Sequence, residues 1–106
     1  MPKYLFKASY SSEGAQGLKS KGGSSRSDAV AHMAEGLGGS LESFYFAFGG
    51  TDGYVVVDLP DNEAAAACGL TINSGSAVKV ETVVLLSPEE LDEAAQRSVD
   101  YRPPGS

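Results

Sequence analysis

Two short runs crowded with aromatic and β-branched side chains, Leu41–Phe48 and Tyr54–Leu59, flank the connector Gly49-Gly50-Thr51-Asp52-Gly53. Val, Phe and Tyr suit a pleated, half-buried surface, and Gly with Asp suits a tight chain reversal. The spacing predicts an antiparallel hairpin closed by a loop of about 3–5 residues. A lone hairpin is marginal in water. The remaining segments therefore read as elements that pair with this hairpin or cover it.

At 106 residues the chain has room for one domain with one modest core. Its formal net charge of −6 is unevenly spread, with residues 1–40 summing to +2 and residues 41–106 to −8. Such a chain has no general attraction for phosphate backbones, so nucleic acid is not an expected partner. A local anion site in the first third is compatible with the balance. The single cysteine, Cys68, can form no intrachain disulfide, which points to a reducing compartment. Met1-Pro2-Lys3 leads straight into a strand with no apolar leader, and no run reaches the ~18 apolar residues of a membrane span. A cytoplasmic protein without a membrane partner is expected.

Lys3–Tyr10 alternates, with Tyr4, Phe6, Ala8 and Tyr10 on one face and Lys3, Leu5, Lys7 and Ser9 on the other. The first face is expected to meet helices. Ser11–Ser25 reads as a polar, glycine-dotted connector holding at most a short helical turn near Gly14–Lys19. Val30, Met33, Ala34 and Leu37 then recur at i, i+3, i+4 and i+7, the stripe of an amphipathic helix. Ser25 with Asp28 is the expected cap at its start, and Gly38-Gly39 its stop. Asp61 is the expected N-cap of a second helix built on Ala64-Ala65-Ala66-Ala67-Cys68-Gly69, whose small side chains let it lie close on a sheet. Ala77–Leu86 reads as the last strand. Ser87-Pro88-Glu89-Glu90 is a complete helix start, leading into a third helix that runs to about Arg97.

The order β-α-β-β-α-β-α predicts an α+β fold, a ferredoxin-like βαββαβ sandwich with a four-stranded antiparallel sheet plus a C-terminal helix. Residues 1–99 form the domain and 100–106, with Pro103-Pro104, an extended tail.

Two helices cover one face only. The other face should then be polar in a lone molecule, yet Phe44–Phe48, Tyr54–Val57 and Val83–Leu86 are apolar or aromatic on both sides. Fully burying one such side chain contributes about 1.5–3 kcal/mol. A second copy packed sheet to sheet is the expected cover, ahead of the last helix, the tail or a ligand, and the expected partner is therefore the chain itself. The polar interruptions of that face, Lys7, Tyr45, Tyr54, Asp58, Lys79 and Glu81, read either as a ligand-binding cluster inside an enclosed chamber or as cross-strand ion pairs at the rim.

His32, the sole histidine, lies off the apolar stripe, four residues after Asp28 and three before Glu35. Its plain reading is a solvated helix face. Its sharper readings are an acid–base group or an axial haem ligand. No second histidine and no cysteine cluster accompanies it, so no metal site is expected. Lys21-Gly22-Gly23-Ser24-Ser25-Arg26 combines cations, glycines and hydroxyls at a helix start, the makings of an anion site. It lacks the phosphate-loop order, because its lysine precedes the glycines. A flexible loop is the plainer account. Cys68 reads as a packed, inert thiol and Asp52 as a turn residue.

Five phrases in order resemble the GYD-domain proteins: MPKYL…ASY, LGGSLESFYFAFG, VVVDLPDNEAAAA, AVKVETVVLLSPEELDEA and the VDYRPPG tail. The eponymous Gly-Tyr-Asp falls at Gly50-Thr51-Asp52, with Thr51 in the tyrosine's place and Tyr54 two residues beyond the Asp. The resemblance implies a small bacterial α/β sandwich similar to the dimeric α+β-barrel proteins and brings no established activity.

The function these readings converge on is an oligomeric small-molecule-binding or protein-interaction module that needs no cofactor. The alternative is a cofactor-independent oxygenase or isomerase with Tyr54, Asp58, Lys7 or His32 in acid–base roles. A third reading is a small haem or anion binder.

Overall fold

Strand alternation decides which side of this molecule is its inside. The structure, a computed structural model, describes residues 1–105. In chain order its elements are β1 (Lys3–Tyr10), α1 (Ser12–Lys21), α2 (Gly23–Gly36), β2 (Ser40–Phe46), β3 (Gly53–Asp58), α3 (Asn62–Asn73), β4 (Val78–Leu85) and α4 (Pro88–Gln96). The strands form one sheet in the order β2-β3-β1-β4, every neighbouring pair antiparallel. That is the ferredoxin-like α+β plan the sequence predicts.

On the helix side, Tyr4, Phe6 and Ala8 of β1 are buried, as are Val55 and Val57 of β3. Val30 and Ala34 of α2 and Ala65 and Cys68 of α3 close over them. The small face of α3 works as expected. At Gly69 a Cβ would lie 3.3 Å from Thr82 Oγ1, so the helix rests close on β4. Tyr4, fully buried, donates its hydroxyl hydrogen to Asn62 Oδ1 at 2.7 Å. Burial, with Asp61 and Glu63 nearby, holds that phenol above its usual range. Burial likewise pushes the Cys68 thiol up, away from the reactive thiolate.

Two caps fall where the sequence puts them. Asp61 accepts from the Ala64 N–H at 2.8 Å. Ser87 and Glu90 form a reciprocal capping box at the start of α4, and the Ser87 backbone and hydroxyl hold the Glu90 carboxyl below its usual range. The last helix ends at Gln96, a residue short of the expected Arg97. The tail has neither helix nor strand through residue 105, and Ser106 lies outside the described residues.

The segment after β1 departs from expectation. Where a connector with at most a short turn was expected, α1 is a helix of 10 residues. Ser11 Oγ caps it by accepting from the Gly14 N–H at 3.2 Å, and the charges suit its dipole, with Glu13 in the first turn and Lys19 and Lys21 in the last. The Ser11 N–H donates to Ala77 O at 3.0 Å, which fastens the helix to the entry of β4. Gly14 is required there, because a Cβ would meet Ala77 O at 2.2 Å. Gly22, at φ +86, then turns the chain directly into α2. The expected Ser25–Asp28 cap is accordingly not used; α2 begins three residues earlier, with Gly22 at the N-cap and Gly23 its first residue, and no side chain caps it.

The expected hairpin forms, but β2 ends at Phe46, short of Phe48, and β3 starts at Gly53. The connector therefore spans the six residues 47–52 rather than about 3–5, and it is fastened to the end of β1. Asp52 donates its N–H to Ala8 O at 2.8 Å, and its carboxylate accepts from the Tyr10 N–H at 2.9 Å. Ser9 Oγ donates to Gly50 O at 3.1 Å. The Gly50-Thr51-Asp52 triplet is thus a clasp between hairpin loop and strand. A β-bulge between Leu41 and Ser43 inserts Glu42 as an extra residue in β2. Beyond the bulge Phe44 and Phe46 share the helix side with Val55 and Gly53, and Tyr45 stands beside Tyr54 on the other.

Candidate functional site

The sheet face opposite the helices is open along its whole length. Register sorts it into three rows running across the strands. The middle row is Ser43–Val56–Leu5–Val83. Toward the hairpin loop lies Tyr45–Tyr54–Lys7–Glu81, one residue from each strand. Toward the other end lies Ser40–Asp58–Lys3–Leu85. Leu5, Val56, Val83 and Leu85 are half-buried by their neighbours alone, while Tyr54 is 41% and Tyr45 72% exposed.

Of the residues singled out in the sequence, Lys7, Tyr45, Tyr54 and Glu81 therefore share a single row. Lys7 Nζ stands 4.0 Å from Glu81 Oε2, a loose pair with Glu81 well exposed, and such pairs contribute little to stability. Asp58 is not with them. It lies four residues along β3 from Tyr54, about 13 Å at the rise of a strand, and accepts from Lys3 Nζ at 2.9 Å. Lys3 also donates to Glu42, and the two carboxylates, Glu42 first, raise its pKa. Lys79 faces Ser9 beyond the tyrosine row, and its ammonium donates to Asn73 O at 3.2 Å around the sheet edge. His32 sits exposed on α2, on the helix side of the sheet. Lys3 and Glu42 carry most of the ionic contacts of this face, yet no sequence pattern singles them out. Glu42 reaches Lys3 only because the bulge places it there.

The candidate anion segment divides. Lys21, Gly22, Ser25 and Arg26 line a cleft of about 370 Å³ between α1, α2 and the start of β4, with Tyr10 and Glu13 on its other walls. Gly23 instead faces Phe46, where a Cβ would lie 2.9 Å from Cε2, and Ser24 is exposed. Tyr10 and Glu13 escape sequence reasoning because α1 does; the Ser11-to-Gly14 spacing of its cap is the one signal that would have brought them in.

No His, Cys, Asp and Glu side chains among the described residues group in threes to hold a metal ion, and no helix is long and apolar enough to cross a membrane. Neither the curated proteins nor the solved structures contain a match to the chain. The profile of the GYD domain matches residues 4–95. The chain belongs to the GYD-domain family. The matched span runs from Tyr4, at the centre of the core, to Ala95 in α4, so this GYD domain includes the open face, the clasp and the capped last helix. In this GYD domain Gly50 and Asp52 are the residues of the clasp that bond to β1, and Thr51 lies between them.

Proposed function

We propose that this GYD domain is a self-associating module that packs the open face of its sheet against a second copy of itself. The observation that carries this reading is the apolar middle row, Val56, Leu5 and Val83, for which the described residues provide no cover. The last helix does not fold beneath it, since every residue of α4 is exposed, Leu91 at 59% among them. Electrostatics favours a copy of the same chain over an unrelated partner. The open face carries Lys3, Lys7 and Lys79 against Glu42, Asp58 and Glu81, a balance of zero on a chain of net charge −6. A neutral, mixed-sign surface is where two acidic molecules repel least, and each sign finds its complement in the other copy. In such a pair the Tyr45–Tyr54–Lys7–Glu81 row becomes the polar lining of the enclosed side.

Native mass spectrometry together with sedimentation velocity tests the proposal. The expected species is a multiple of the 10.9 kDa chain at micromolar concentration. A single chain at all concentrations would overturn it.

A further inference from the structure

The cleft between α1 and α2 lies on the helix side of the sheet, away from the open face, and self-association does not account for it. Its volume, about 370 Å³, falls at the small end of ligand pockets, about 300–1,000 Å³. Its walls are mostly apolar: the Tyr10 ring, Leu18, Ala29 and Val78. On the α1 side Gly17 contributes no side chain, and a Cβ there would meet nothing within 4 Å. Against this apolar lining stands Arg26. Its Nε is shut off from solvent and has no hydrogen-bond partner, a costly arrangement for a charged group's donor. Neither Arg26 nor Lys21 is ion-paired among the described residues. The one carboxylate in the walls, that of Glu13, is engaged by the Ser76 hydroxyl.

We propose that this cleft binds a small organic carboxylate with an apolar body. A guanidinium presents a planar fork that matches a carboxylate, which the ligand would bring to the terminal nitrogens of Arg26, since the buried Nε is out of an acceptor's reach. Lys21 and Arg26 against Glu13 leave one net positive charge, which suits a monoanion better than a dianionic phosphate. The apolar body lies against Leu18 and Val78 in the space Gly17 leaves open.

The test is an amide NMR titration of the full chain with hexanoate, hexanamide and inorganic phosphate. Saturable shifts at Gly17, Gly22, Arg26 and Val78 are expected with hexanoate, with hexanamide at least about tenfold weaker, as loss of a charge-assisted bond implies, and phosphate weaker because it has no apolar body to bury. Arg26→Gln should weaken hexanoate binding about tenfold or more. Gly17→Leu should abolish binding while keeping the circular dichroism spectrum, because its side chain enters open space; it serves if Arg26→Gln misfolds. Absence of saturable shifts, equal binding of hexanamide, phosphate matching hexanoate, or no effect of Gly17→Leu would each overturn the proposal. None of these outcomes depends on the oligomeric state.

Discussion

The two sides of the sheet are made by alternate residues of the same strands, and they differ in what they contribute. On β3, Val55 and Val57 are 4% and 0% exposed, while Tyr54, one position away, is 41% exposed. Residue chemistry does not separate the faces, since valines stand on both. Cover does. Over the two central strands the helix side is sealed by α2 and α3, so the side chains there contribute the full transfer energy of burial. The open side holds comparable apolar groups whose contribution waits on a second surface. Hydrophobicity in a strand thus says that a face wants cover, and only the neighbouring elements say whether it has it.

The comparison can be broken most severely from the sealed side. Tyr4→Ala removes a fully buried ring and strands Asn62, and should cost about 3–5 kcal/mol in chemical denaturation. A loss below 1 kcal/mol would mean the core is not organised around β1. On the open side, Val56→Lys should leave the unfolding free energy of the single chain within about 0.5 kcal/mol but weaken self-association by about 2 kcal/mol or more, since it places a lysine in each copy's interface. Sedimentation equilibrium reads the second number, and an unchanged association constant would move the interface elsewhere. Asp52→Ala acts between the faces, on the hydrogen bonds in the plane of the sheet. It frees the Tyr10 N–H and should cost about 1–3 kcal/mol, with faster amide exchange at Tyr10; unchanged exchange would deny the clasp its role.

The smallest effect concerns α4, an apolar stripe with no floor. Because Ser87 holds Glu90 below its ordinary pKa, the cap contributes above that ordinary value and is lost as pH falls through the lowered one. Residues 88–96 should fray in acid at pH values where the sheet still holds. Their amide shifts, followed from pH 7 to 3, should change before those of Val55 and Val57. Simultaneous loss of both would show that α4 is tied to the domain.

Much of this was legible in the chain. The alternation of Lys3–Tyr10 gave both faces of β1 correctly, because tyrosine and phenylalanine alternate there with lysine. The caps at Asp61 and Ser87 were legible because capping is chemistry between near neighbours. The helix α1 was not, since Gly14, Gly17 and a serine-rich surround have low propensity and no apolar stripe marks a buried face; its support comes from Ala77, more than sixty residues away in sequence. The candidate site was half legible. Period-two counting placed Lys7, Tyr54, Asp58, Lys79 and Glu81 on one face, but only register separates the tyrosine row from Asp58 and Lys79. The pairing of Lys3 with Glu42 was missed for the same reason.

The extra residue in β2 has a consequence for how such a chain can change. Dropping Glu42 would leave Leu41 opposite Val57 and Ser43 opposite Val56, the partners each has already. A one-codon loss at this point therefore straightens the strand without turning it inside out. The lining of the core and the outward tyrosine are inherited separately from the length of the strand that carries them.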